Sequence, residues 1–360
     1  MIKIKNYLHR HPLSVLLFFL PLAFLAEFSH WNPMLIFSFS ALSLVPLAGY
    51  IGEATESIAE YTGPKIGGLL NATLGNAAEL IITLVAIKAG LLELVKASIT
   101  GSIIGNLLLV MGLSLFLGGA KNGIQAFDRR HSSNQSVLLT LAVIALVIPS
   151  IFGHVIGSTN AWGVEQLSLG VAGVMILLYA ASLFFNFKSN TNIASHETAH
   201  SKKIINKKEI NSAIAVLVAA TLGVVFMSEF LVGQVEVIVS RFGFSEFFLG
   251  IILIPIIGNV AEHMVAVQVA IRNQMDLSVE IAVSSSLQIA LFVAPILVFI
   301  SLIMGNPLTL VFNNFELIAL GATVIVSALV CLDGESNWLE GLALIGVYII
   351  LGIGFFLLPT

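Results

Sequence analysis

Gly75-Asn76-Ala77-Ala78-Glu79 recurs 183 residues later as Gly258-Asn259-Val260-Ala261-Glu262, and each copy is set in apolar sequence. The same offset carries Gly67 onto Gly250, Ser102 onto Ser285 and acidic Glu93 onto acidic Asp276. A carboxylate inside a membrane span is costly and marks function. Two of them in matched settings point to a transporter whose ion site lies between internal repeats.

Composition agrees with that setting. Of 360 residues, 58% are hydrophobic and 10% charged, with 30 Gly and 24 Phe. The charged fraction is far below the roughly 25% of soluble domains, so the expected fold class is an all-α polytopic membrane protein. A single cysteine, Cys331, excludes a disulfide scaffold and a cysteine-ligated metal within one chain. The start MIKIKNYLHRH imitates a signal peptide, but no small-residue cleavage site follows cleanly and the next apolar segment begins almost at once. It reads as a first span.

Hydropathy predicts eleven transmembrane helices at 13–29, 34–61, 65–88, 93–119, 135–155, 165–187, 209–240, 245–271, 276–302, 314–333 and 338–358. With the N-terminus in the cytoplasm, thirteen of the sixteen Lys and Arg fall on that side, leaving only Lys88, Lys96 and Arg241 opposite. This is the positive-inside pattern, and the odd span count then places the C-terminus outside. The chain divides into a tail and isolated first helix (1–33), a five-helix repeat (34–187), a cytoplasmic linker (188–208) and a second five-helix repeat (209–360). Five crossings reverse the side on which the next unit starts, so the repeats are inverted. The polar linker carries His196 and His200 at i,i+4. It reads as a solvated, topology-setting connection, with a metal-sensing pair as the alternative.

Asn76, Glu79 and Thr83 are spaced to share a helical face, and Asn259 and Glu262 repeat the i,i+3 relation with His263 turned aside. Glycines at 67, 68, 75, 250 and 258 allow close approach or local opening that frees carbonyl oxygens for a ligand, and Pro255, just before the second motif, frees a carbonyl of its own turn. A second polar layer holds Ser102 and Asn106 in one copy, Ser285 and Gln288 in the other. These oxygens suit a hard divalent cation, and Ca²⁺ tolerates an irregular shell of about six to eight. The metal candidates are thus Glu79, Glu262, Asn76, Asn259, Ser102, Ser285, Asn106 and Gln288. For the serines and amides, interhelical hydrogen bonding is the competing role. A bare buried carboxylate is costly, so Glu79 and Glu262 are expected to carry either a cation or protons, and competition for the same oxygens couples the two. His263 either shuttles protons or bonds Glu262. Glu53, Glu56 and Glu60, spaced i,i+3,i+7, form an acidic stripe toward the cytoplasmic mouth, with Glu56 a further proton-coupling candidate; a partly solvated helix end is the alternative.

At these residues the chain resembles the Ca²⁺/H⁺ exchangers of the cation/Ca²⁺ exchanger superfamily. Gly67 to Glu79 is similar to the family's first α-repeat and Pro255 to His263 to its second; Ala54-Thr55-Glu56 and Gln288 to Pro295 also fit. The resemblance implies an eleven-span fold and export of cytosolic Ca²⁺ against entering protons, with Glu79 and Glu262 as central ligands and proton carriers. The short basic linker suits a compact prokaryotic-type member in the cell membrane, and some relatives of that type form homotrimers. No enzyme activity, cofactor or nucleic-acid partner is expected; the partners are the lipid bilayer, Ca²⁺ and H⁺. A Na⁺/Ca²⁺ exchanger or other divalent cation antiporter is the alternative. A channel suits inverted repeats less well, and an intramembrane hydrolase would need a nucleophile with its base or a His-rich metal site.

Overall fold

The computed structural model describes residues 12–62, 64–157, 161–193 and 207–358. The basic tail, the linker pair His196 and His200, and Thr360 lie outside the described residues. Among the described residues the chain is helical, apart from a two-stranded antiparallel ribbon of Gln125–Ala126 with Glu335–Ser336. Among the described residues eight helices are long and apolar enough to cross a membrane: Pro33–Thr62, Leu92–Asn122, Arg129–Gly153, Trp162–Phe185, Lys208–Phe242, Glu246–Ile271, Met275–Met304 and Trp338–Phe356. Leu13–Phe28 and Asn314–Val330 are shorter apolar helices. The predicted span 65–88 is helical in two pieces, Pro64–Leu74 and Ala77–Lys88, separated at Gly75 and Asn76.

Polarity is arranged for lipid. Leu177, Ile303 and Ile350 stand exposed, whereas Asn76, Glu79, Ser102, Asn106 and Asn259 are buried. Leu92–Asn122 and Met275–Met304 lie deep in the bundle, and each changes from α to π geometry midway, at Gly105–Val110 and Ile289–Val293. Those π segments coincide at the 183-residue offset to within a residue. A π turn widens the backbone spiral by one residue and re-aims the side chains around it, a device common at functional sites.

Two glycines let the deep helices touch. At Gly101 a Cβ would lie 2.1 Å from the carbonyl oxygen of Ile251, and at Gly250 one would lie 2.7 Å from the Ala97 Cβ. Main chain therefore packs directly on main chain where Leu92–Ile104 crosses the π segment Leu249–Leu253.

Polar contacts gather the helix ends into two groups. At one end Phe127 N–H donates to the Gly334 carbonyl, Gln125 Nε2 to Ala270 O, and Asp128 N–H to the Asp276 carboxylate. At the other, Lys96 Nζ donates to Val311 O, Leu94 N–H to Glu246 Oε1, and Asn306 Nδ2 to Ile87 O. Asn313 begins Asn314–Val330 with a capping box: its side chain accepts from Glu316 N–H, and Glu316 Oε2 accepts from Asn313 N–H.

Replacing Gly101 by Ala should separate the crossing helices, a cost of about 1–3 kcal/mol for overpacking. G170A, where a Cβ meets nothing within 4 Å, is the control. Thermal unfolding in detergent should show a lower Tm for G101A and an unchanged or slightly higher one for G170A; equal Tm values would contradict the close crossing.

Candidate functional site

The break at Gly75 and Asn76 makes the first site. Asn76 is the N-cap of Ala77–Lys88, yet its side chain caps nothing. Its amide is free to reach across the bundle: Nδ2 donates to Gln288 Oε1 at 2.7 Å, and Oδ1 accepts from Ser285 Oγ at 3.3 Å. Asn76 therefore does not extend a helical face shared with Glu79 and Thr83, as spacing predicted; it turns out of the broken helix toward the other motif. Glu79 lies in the first turn of the new helix, where the partial positive charge of the helix N-terminus favours a carboxylate. Thr83 is directed back to the carbonyl of Glu79.

The second motif is built differently. Ile254–Ile271 runs unbroken through it, entered from the π segment with Pro255 in its first turn. Asn259 is therefore inside a helix. Its Nδ2 donates to Pro255 O at 3.1 Å and to Ser102 Oγ at 3.4 Å, so the Pro255 carbonyl is already occupied. Glu262 Oε2 accepts from Ser285 Oγ at 3.0 Å.

The two motifs meet crosswise. Each asparagine bonds the serine of the opposite copy, Asn76 with Ser285 and Asn259 with Ser102. Each glutamate lies over the glycine of the opposite copy: a Cβ at Gly258 would sit 3.2 Å from Glu79 Cγ, and one at Gly75 3.6 Å from Glu262 Oε1. The glycines thus supply the space in which the carboxylates lie. Burial is unequal. Glu79 is buried and Glu262 half-buried. Glu79 Oε1, Asn259 Oδ1 and Asn106 Nδ2 are buried without a hydrogen-bond partner among the described residues, a costly state for polar atoms that a bound ligand or proton can relieve.

Asn76, Glu79, Ser102, Asn106, Asn259, Glu262, His263, Ser285 and Gln288 are all brought into this region. His263 Nε2 pairs with Asn106 Oδ1 at 3.1 Å, which differs from the bond to Glu262 weighed from sequence. Glu56 stands exposed on Pro33–Thr62, outside the hydrogen-bonded cluster. Glu229 forms an exposed ion pair with Lys88. One buried carboxylate was missed: Glu316, 1% exposed and 3.4 Å from Thr100 Oγ1. The signal was present in the run Asn313-Asn314-Phe315-Glu316, an Asn-x-x-Glu capping box at a span start. Among the described residues no three His, Cys, Asp or Glu converge as metal ligands; the donors here are two carboxylates with amide and hydroxyl oxygens, a hard set.

Helices of membrane length around a buried polar seam, with paired carboxylates from two sequence-matched motifs, mark the chain as a membrane ion carrier. The family model for the sodium/calcium exchanger protein matches residues 32–188 and 212–357. Across 358 residues the chain is 43% identical to a Ca²⁺/H⁺ antiporter of Aphanothece halophytica, covering 96% of each chain. It is 44% identical over 343 residues to the Ca²⁺/H⁺ antiporter ChaA of Bacillus subtilis (strain 168), covering 94% of this chain and 96% of that one. It superimposes on a crystal structure of the Ca²⁺/H⁺ antiporter protein YfkE with a TM-score of 0.84 and 42% identity, over 97% of this chain and 100% of that chain. The chain belongs to the Ca²⁺/H⁺ antiporter family within the cation/Ca²⁺ exchanger superfamily.

Ser285 bonds both Asn76 and Glu262, whereas Ser102 makes one long bond to Asn259. S285A should lower stability by about 1–3 kcal/mol, the cost of stranding buried acceptors, and S102A by less. Denaturation in detergent checks the order; a larger loss in S102A would contradict the crosswise network.

Proposed function

We propose that the chain is a Ca²⁺/H⁺ antiporter that exports cytosolic Ca²⁺ in exchange for entering protons, with Glu79 and Glu262 as the shared cation and proton carboxylates. One observation carries the assignment of the site: each glutamate lies over the glycine of the opposite motif, at the seam where the two copies exchange asparagine–serine bonds. Asn76, Asn259, Ser102, Ser285, Asn106 and Gln288 complete the cation shell or hold the glutamates in place. The relatives' names as Ca²⁺/H⁺ antiporters support this substrate pair over Na⁺/Ca²⁺ exchange.

The physics of exchange follows from sharing. A divalent ion leaving this site would strand two anions in a medium of low dielectric, so protons replace it. Protonated carboxyls attract the cation weakly, so Ca²⁺ entry expels the protons. Lower pH on the loading side therefore weakens apparent Ca²⁺ binding. His263, held by Asn106, stands beside Glu262 as a proton-coupling candidate. Glu56, exposed on its helix, belongs to an approach path and not to the binding seam.

Eleven crossings order this machinery: a first helix (1–33), inverted five-helix repeats 34–187 and 209–360, and a linker at 188–208. The two segments matched by the family model, 32–188 and 212–357, support the division. The end contacts support the alternation of the spans after the first: loops around 125, 273 and 335, which eleven crossings put on the cytoplasmic side, touch one another, as do those around 94, 246 and 306–311 opposite. The N-terminus is then cytoplasmic and the C-terminus outside.

E79Q and E262Q keep side-chain size but remove the charge that balances Ca²⁺. Each alone should abolish proton-driven Ca²⁺ uptake in everted vesicles while the protein stays folded; near wild-type uptake in either would overturn the assignment. Single cysteines placed at Ser195 and Thr360 in a C331A background should label from opposite sides of the membrane, and labelling from one side would contradict the eleven-span reading.

A further inference from the structure

The two glutamate-bearing helices end alike. Ala77–Lys88 closes in a turn whose Gly90 has φ +81°, with Gly90 N–H donating to Ile87 O and Leu91 N–H to Ala86 O. Ile254–Ile271 closes in the same turn 183 residues on: Asn273 has φ +63°, Asn273 N–H donates to Ala270 O and Gln274 N–H to Val269 O. In both, the carbonyl accepting the third-residue bond is also reached by a side-chain amide from the opposite copy.

On Ile87 O that amide is Asn306 Nδ2, at 2.9 Å, from the residue after the left-handed Gly305 that ends Met275–Met304. On Ala270 O there are two, Gln125 Nε2 at 3.0 Å and Asn122 Nδ2 at 3.3 Å, from the end of Leu92–Asn122 and the loop beyond it. Asn122 reaches Ile271 O as well, and Gln125 also donates to Asn273 Oδ1. Ile87 and Ala270 are equivalent at the motif offset, and each lies eight residues past its glutamate. A helix rising about 1.5 Å per residue puts the latched carbonyl roughly two turns beyond the carboxylate on one stiff rod.

We propose that Asn306 and the pair Gln125 and Asn122 are positioning residues for exchange, latches that fix the far ends of the two carboxylate helices and so hold Glu79 and Glu262 in ligand geometry. The need is greatest in the first copy. Ala77–Lys88 is a 12-residue rod whose helix breaks at Asn76, so the bond at Ile87 anchors the end away from the break, beside the exposed Lys88–Glu229 ion pair. Backbone turns alone would cap both helices; a cross-copy amide on the same carbonyl in both is what a capping role leaves unexplained. The inference rests on the exchange function proposed above.

The test uses isosteres that lose the donor. N306D and Q125E each replace an amide N–H by a carboxylate oxygen facing a carbonyl, and N306Q keeps a donor. Hydrogen exchange of the full-length protein in detergent, which does not depend on transport, should speed at least tenfold over 77–88 in N306D and over 254–271 in Q125E, each without the other. In proteoliposomes where the unmodified protein exchanges Ca²⁺ for protons, N306D should raise the Ca²⁺ KM three- to tenfold with maximal rate within twofold, and N306Q should recover at least half of the change. Localised loosening with KM unchanged, or a fall in rate that follows the folded fraction alone, would overturn the positioning role. Exchange that quickens in neither helix would overturn the latch itself. Absence of Ca²⁺/H⁺ exchange by the unmodified protein would instead refute the proposed function and leave the hydrogen-exchange result to decide the latch.

Discussion

A carboxylate has no inexpensive charged state inside a bilayer, and Glu79 and Glu262 stand together at one seam. Every surrounding feature compensates for that cost. Gly75 and Gly258 leave the volume that the carboxylates occupy. Asn76 gives up helix capping and turns its amide into the bundle. Ser285 serves Asn76 and Glu262 together. Among the described residues Glu79 Oε1 and Asn259 Oδ1 are buried acceptors still unpaired, and through them a cation or proton would complete the balance.

The same constraint explains where the inner helices depart from regular geometry. Breaks and π segments expose main-chain groups that lipid cannot satisfy, so they occur where protein surrounds them. Gly105–Val110 and Ile289–Val293 lie in two deeply buried helices, next to Ser102, Asn106, Ser285 and Gln288. The copies are related without being identical. The first motif interrupts its helix and the second does not, because Pro255 follows a π turn there while Gly75 and Asn76 separate two short helices. That difference accompanies the deeper burial of Glu79 and the greater access of Glu262.

Much of this was legible in the sequence, since membrane insertion writes its demands locally. Apolar runs of span length mark the helices, and the 183-residue offset singles out the paired Gly-Asn-x-x-Glu motifs before any contact is known. What stayed hidden is long-range. Nothing local says that Asn76 meets Ser285 or that His263 meets Asn106 in place of Glu262. The break at Asn76 was also unreadable from periodicity, because Asn76, Glu79 and Thr83 have helical spacing whether or not the helix is continuous. Glu316 was readable through its capping box but falls outside the repeat signal, since its counterpart at the offset is Ser133.

Proton release on Ca²⁺ binding tests the shared-carboxylate account most directly. Ca²⁺ added to purified protein in weak buffer across pH 6 to 8 should displace protons, and calorimetry should show affinity falling as pH falls, by the reciprocity of linked binding. Both effects should largely vanish when E79Q and E262Q are combined. Tight Ca²⁺ binding with no released protons and no dependence on pH would contradict it.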